Sequence, residues 1–397
     1  MFNALTAMPA DPILGLLTQY RLDPNPNKVD LGVGVYKDEA GHTPILHCVK
    51  HAERHRFETE DTKVYIGPTG SAHFNDLMTK LAFGHDHPAL LENRIRTIST
   101  PGGTGALRVA ADFIKRCRTQ ATIWVSDPTW ANHNGLFEAA GIQVKTYPYY
   151  DHDNKSLRFD DMKAALAQVS PTDVVLLHAC CHNPSGMDLT PSQWDEVITI
   201  TKNVGFTPLI DMAYQGFGEG VDEDAYGVRQ MAANVDNMIL CSSCSKNFGL
   251  YRERIGACSL VTKDPTTADV AFSVLLYVVR CLYSMPPAHG AAIVETILDS
   301  EKLTQEWLEE LAQMRDRING NRSMLVDKLK EKGVKRDFSF IAKQKGMFSF
   351  LGITPEQVTR LQQEYSIYMV DSSRISIAGI GDGNVDYLAS AIAKILE

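Results

Sequence analysis

Short apolar runs alternate with amphipathic stretches through the middle of the chain, and that rhythm restricts the fold more than any other feature. Arg96–Ser99, Thr122–Ser126, Gln143–Tyr147, Asp173–His178, Thr207–Asp211, Asn237–Ser242 and Gly256–Thr262 have the length and composition of strands. Between them the spacing turns helical. In Gly105–Cys117, residues Leu107, Ala110, Ala111 and Ile114 share one face. Thr190-Pro191-Ser192-Gln193 supplies an N-cap, a proline at the first helical position and a capping-box glutamine, and Thr354-Pro355-Glu356-Gln357 repeats that signal. Strands that alternate with helices need crossovers, and crossovers make neighbours parallel. The expected fold class is therefore α/β, a large domain with a mostly parallel seven-stranded sheet covered by helices.

The rhythm stops in one long helix, where Leu311, Met314, Ile318, Leu325 and Leu329 keep helical spacing. The first 43 residues also lie outside it. The expected division is an N-terminal arm at 1–11, a smaller α/β domain from 12–43 and 314–397, and a large domain at 44–313.

A formal net charge of −9 disfavours nucleic-acid binding, so a phosphate or carboxylate ligand must be held by local cations. No apolar run approaches the ~20 residues of a membrane span. Residues 1–16 lack the basic flank and apolar core of a signal peptide. A cytoplasmic protein is expected, with the eight scattered cysteines as free thiols. Cys241-x-x-Cys244 has no second such pair and no suitably spaced histidines to complete a zinc site, so no metal is expected.

Several strand ends carry residues suited to chemistry. Ser243-Cys244-Ser245-Lys246, with Arg254 eight residues on, follows one strand directly. The hydroxyls and guanidinium suit a phosphate, and a lysine amine whose pKa is lowered suits an aldehyde. The same residues also fit an exposed loop. Asp211 closes another strand, where a carboxylate needs a partner such as a protonated ring nitrogen, and Tyr214 follows. Asp211 equally fits a cap on the next helix. Gly102-Gly103-Thr104-Gly105 opens a helix, where backbone N–H groups receive anions. It is neither a dinucleotide fingerprint nor a P-loop. Asn183 in Cys181-His182-Asn183-Pro184 suits a cofactor oxygen or a plain turn, Trp130 suits ring stacking or core, and His133 suits support or structure.

Taken together, these segments resemble class I aminotransferases of the pyridoxal-5′-phosphate (PLP) fold type I group, closest to bacterial aspartate and aromatic amino acid aminotransferases. The resemblance runs from Asp11-Pro12-Ile13-Leu14 to Arg374. It includes Leu31-Gly32-Val33-Gly34-Val35-Tyr36, Cys180-Cys181-His182-Asn183-Pro184, Ala213-Tyr214-Gln215-Gly216-Phe217 and Ser245-Lys246-Asn247-Phe248-Gly249. It implies that Lys246 is the Schiff-base lysine and proton carrier. It pairs Asp211 with the ring nitrogen, with His133 behind it, and sets Tyr214 and Asn183 on the phenolic oxygen and Trp130 on the ring. Gly103, Thr104, Ser243, Ser245 and Arg254 would hold the phosphate, with Tyr65 of a second subunit. Arg374 would clamp the substrate α-carboxylate, with Gly34 and Phe348 lining the pocket. Arg280 would reach across a homodimer to a distal carboxylate. The implied reaction moves an amino group from aspartate to 2-oxoglutarate in two halves, with small amino and keto acids as the only other partners.

Two positions leave the aspartate-type pattern. Val64 and Met285 stand where the resemblance leads one to expect asparagine, which makes the surroundings of Arg280 less polar, while Val35, Lys37, Thr43 and Thr104 keep to the pattern. An aspartate enzyme that also accepts Phe and Tyr is expected, the alternatives being an aromatic aminotransferase with dual specificity or neutral drift. Rival readings are a nicotinamide oxidoreductase, a non-catalytic regulator, and another PLP reaction such as decarboxylation.

Overall fold

The computed structural model describes residues 2–7 and 12–397. Part of the expected arm, Met1 and residues 8–11, therefore lies outside the described residues, including the Asp11 of the resemblance. The chain divides into two compact units, one of residues 44–183 and 187–316, the other of 1–43, 184–186 and 317–397. Each is described by itself.

The larger unit holds a seven-stranded sheet. Its strands are β1 (Ile95–Pro101), β2 (Thr122–Asp127), β3 (Gln143–Pro148), β4 (Val174–His178), β5 (Thr207–Met212), β6 (Met238–Ser243) and β7 (Ile255–Val261). Their spatial order is β1-β7-β6-β5-β4-β2-β3. β4 to β7 are buried almost throughout, as strands covered on both faces must be. Only β7 runs antiparallel to its neighbours. The cause is the short connection 244–254: it has no crossover helix, so the chain turns straight back.

Helix α1 (Gly102–Cys117) buries Ala106, Leu107, Val109, Ala110, Ala111 and Ile114 in the main core. It starts three residues earlier than its apolar spacing suggests, because Pro101 and not the glycine turn stands at the N-cap. Helix α2 (Pro265–Leu282) is more apolar than the sequence reading allowed, with the length and composition of a membrane span. It packs on α1, β1 and β7, and its Asp269 pairs with Arg96 at 2.7 Å. It is thus part of the layer covering the sheet. The capping box at Thr190 forms as expected.

In the smaller unit, Val29–Asp30 pairs in parallel with Ile367–Tyr368, and Phe348–Phe350 pairs antiparallel with Arg374–Ser376. Fully buried Arg322 donates to the carbonyls of Ile341, Lys345, Gly346 and Phe348, stitching the approach to that second pair. The second capping box forms at Thr354. The long helix α3 (Glu301–Glu331) changes unit between Asp316 and Arg317.

Candidate active site

In the larger unit the candidate residues collect at one edge of the sheet, where the parallel strands end. Gly103 follows β1, Trp130 follows β2, Asn183 follows β4, Asp211 and Tyr214 end or follow β5, and Ser243 to Lys246 end or follow β6. Ligand crevices of open α/β sheets form at that edge. The short β6–β7 turn adds Arg254, whose φ of 58° is a left-handed conformation.

A phosphate cradle follows from strand register. Ile255 pairs with Pro101 and Gly256 with Ser243, so the start of α1, the end of β6 and Arg254 come side by side. The fit is close. A Cβ on Gly102, whose φ is 73°, would meet the Arg254 guanidinium carbon at 2.8 Å, and one on Gly103 would meet Ser243 Cβ at 3.0 Å. Arg254 Nη1 donates to Ser245 Oγ at 3.4 Å and to the Tyr251 carbonyl at 2.9 Å. Ser243 Oγ accepts from Ser245 N. The N–H groups of the first turn of α1 lack intrahelical acceptors, so they add donors beside that cation.

Lys246 keeps some exposure as a residue while its amine lies deep, 4.7 Å from the Tyr214 ring centre. Burial pushes the amine down to about 8; Asp211 opposes that and Arg254 adds to it. Asp211 is buried, which raises its pKa, but the His133 hydrogen bond, with His178 and Lys246 nearby, brings it below the usual carboxylate value. His133 Nε2 lies 3.2 Å from Asp211 Oδ2, and its Nδ1 lies 2.8 Å from Thr129 Oγ1. Asn183 is buried, and its carboxamide oxygen (or the amide nitrogen, were the group turned over) has no protein partner. A buried polar atom left unpaired is costly, so its position fits a ligand oxygen or donor. Trp130 stands edge-on to His133 at 5.2 Å.

Sequence reasoning missed the groups behind His133. His178 Nε2 lies 3.3 Å from the same Thr129 hydroxyl, and His182 Nε2 lies 2.9 Å from Ser126 Oγ. Burial, with His133 adding, lowers His178 to about 3, and burial holds His182 well below the ordinary histidine range. Both are therefore neutral near pH 7. The one signal in the sequence is that His178 closes an apolar run, as Asp211 does; the register that sets the two side by side comes from the fold.

Gly34, Phe348 and Arg374 come together in the smaller unit. Arg374 is buried, donates to the Gly32 carbonyl at 2.7 Å, and stands 4.3 Å from the Phe348 ring centre. A Cβ on Gly34 would meet Phe348 Cζ at 2.7 Å. The third group lies on the surface of the larger unit. Tyr65 is 88% exposed and Val64 69%, and Arg280 is exposed and bonds Ser284 Oγ. Ile66 N contacts Met285 Sδ at 3.1 Å, which joins the two departing positions to one neighbourhood. Cys241 and Cys244 are buried thiols, and burial raises both pKa values.

Comparison with known proteins identifies the family. The family model for aminotransferase class I and II matches residues 26–392. An aspartate aminotransferase of Haemophilus influenzae is 48% identical, each chain covered over 100% of its length. An aromatic-amino-acid aminotransferase of Pseudomonas aeruginosa is 47% identical, covering 99% of this chain and 98% of the other. The crystal structure of an aromatic-amino-acid aminotransferase from Burkholderia pseudomallei, covalently bound to pyridoxal phosphate, superposes with a TM-score of 0.98 at 45% identity over 100% of both chains.

Proposed function

Since this chain belongs to the class I and II aminotransferases and uses PLP, we propose that it transfers the amino group of L-aspartate to 2-oxoglutarate and also accepts Phe and Tyr. The observation that carries the reading is Lys246, a deep amine lowered to about 8 between Asp211 and Arg254, beside the cradle at α1. Bound PLP supplies a ring that takes up the charge left at the substrate Cα.

The chain's own groups do the rest. Gly103, Thr104, Ser243, Ser245 and Arg254 hold the phosphate. Asp211, kept ionised by His133, holds a proton on the ring nitrogen. The neutral histidines behind His133 keep a second charge away from that pair. Tyr214 and Asn183 bond the phenolic oxygen, and Trp130 stacks on the ring. Lys246, once neutral, moves the proton at the substrate Cα. Arg374 holds the α-carboxylate, beside Gly34 and Phe348, because a planar guanidinium binds carboxylates in a bidentate way.

The working form is a homodimer. Arg280 of the partner subunit reads the distal carboxylate and Tyr65 of the partner subunit reaches the phosphate. Support comes from the exposed apolar residues Phe57, Val64, Tyr65, Val270 and Tyr277, which suit a protein interface. Eight free thiols fit a cytoplasmic enzyme. The apolar Val64 and Met285 support aromatic acceptance. A single-turnover screen tests the reading: PLP-loaded protein is mixed with one amino acid at a time and the loss of visible absorbance is followed. Aspartate and glutamate should react fastest, with Phe and Tyr ahead of alanine. Alanine matching aspartate would overturn it.

A further inference from the structure

Helix His47–Thr59 carries His47, His51 and His55 four residues apart, all exposed and none with a part in the reaction. Four residues is little more than one turn, so the three imidazoles share a face, with adjacent Cβ atoms about 5–6 Å apart. Two histidines at that spacing fill neighbouring positions around a transition-metal ion, with nitrogens about 2.0–2.1 Å from it.

Helix α3 sets carboxylates against this stripe. Glu306 Oε2 lies 3.1 Å from His51 Nδ1. Glu310 accepts from His47 N at 2.7 Å and from Cys48 N at 3.1 Å. A carboxylate on Nδ1 leaves the other ring nitrogen of His51 for an ion, and it fixes the ring and strengthens the ligand. Further along, His55 and Arg56 share an open cleft of about 570 Å³ with His73, Glu295 and Asp299. Arg56 is paired with Glu60 at 3.5 Å, so its charge is partly offset.

We infer that this stripe is a surface site for one divalent transition-metal ion of the nickel, copper or zinc class, held by His51 with either His47 or His55 and braced by Glu306. Imidazole ligands select those metals over calcium and magnesium. His51 belongs to both pairs. His47 and His55 are eight residues apart, about 12 Å along the axis at 1.5 Å per residue, too far to share an ion.

The test is calorimetric titration of the full-length, PLP-loaded protein with nickel sulfate at neutral pH in a non-coordinating buffer. Wild type should take up one tightly held ion per chain. His51→Ala should weaken binding at least tenfold, because no pair remains. His47→Ala and His55→Ala should each weaken it about twofold, because each leaves one of two equivalent pairs. Glu306→Gln should weaken it about tenfold through loss of the brace. The histidines are exposed and alanine is a strong helix former, so the fold survives, as circular dichroism would check. Absence of wild-type binding, equal losses in the three histidine variants, or unchanged binding in His51→Ala overturns the site. The last is the result expected if the exposed thiols of Cys117 and Cys281 held the nickel.

Discussion

At Lys246, burial and Arg254 act against Asp211 on one amine, and the outcome is a proton lost near 8 instead of at the free value of 10.5. Only the neutral amine attacks an aldehyde, so capture of PLP by the cofactor-free protein should speed up as pH rises, with a midpoint close to 8. Asp211 favours the charged form. Asp211→Asn should therefore shift the midpoint lower, as read from stopped-flow absorbance at a series of pH values; a midpoint above 9 in wild type would contradict the assignment. The same shift acts on stability. The unfolded lysine keeps its proton up to about 10.5, so the cofactor-free fold gains stability from this group as pH rises from 8 to that value. If Arg280 reads the distal carboxylate as proposed, charge and size should separate the substrates there. Arg280→Ala should cost aspartate about 3–5 kcal/mol, or roughly two to four decades in kcat/KM, by leaving a partly buried carboxylate unpaired. Phenylalanine should lose far less. The double change Val64→Asn with Met285→Asn should lower aromatic turnover by ~1–3 kcal/mol, the scale of one misplaced polar contact, and spare aspartate. An unchanged phenylalanine-to-aspartate ratio in the double variant would mean that these two positions are drift.

Among the elements, the turn after β5 is held by one side chain. Asp224 is buried, and its carboxylate accepts from the backbone N–H groups of Gly216, Gly218 and Glu219 at 2.8–2.9 Å. Those bonds hold the chain that leaves Tyr214. Asp224→Ala would strand three donors, two of them on the buried residues Gly216 and Gly218, at ~1–3 kcal/mol for each buried one. A loss of about 3–5 kcal/mol in urea unfolding is expected, along with weaker PLP retention because Tyr214 loses its support. A loss below 1 kcal/mol would show that the turn holds itself. This carboxylate lies beside Cys180 and Cys181, a group of three metal-type ligands whose donor atoms all lie within 4.8 Å of one another, but its three N–H bonds account for it as a structural brace.

For the whole molecule, the proposal that sites are shared between subunits has a direct test. Arg374→Ala and Arg280→Ala chains are each nearly inactive on aspartate if one arginine comes from each subunit. Mixed under exchange conditions, half the dimers become hybrids with one intact and one doubly damaged site, so about a quarter of wild-type activity should return. No recovery, with subunit exchange confirmed by mass, would mean that both arginines act within one chain.

Local signals were enough to set out the strands, the two capping boxes and the long helix, because apolar period and turn chemistry act over a few residues. Lys246, Asp211 and the glycine turn were legible for the same reason: each sits just past an apolar run, where a parallel sheet opens its ligand edge. Tertiary structure decided what depends on register. The pairing of Ile255 with Pro101 brings Arg254 to the start of α1, and that of His178 with Asp211 brings a neutral histidine within reach of the Thr129–His133 chain. Neither pairing can be read from spacing, since those partners lie 154 and 33 residues apart and only the sheet's strand order makes them neighbours. The pKa of Lys246 belongs with these, because burial and distant charges move a proton, and both exist only once the chain has folded.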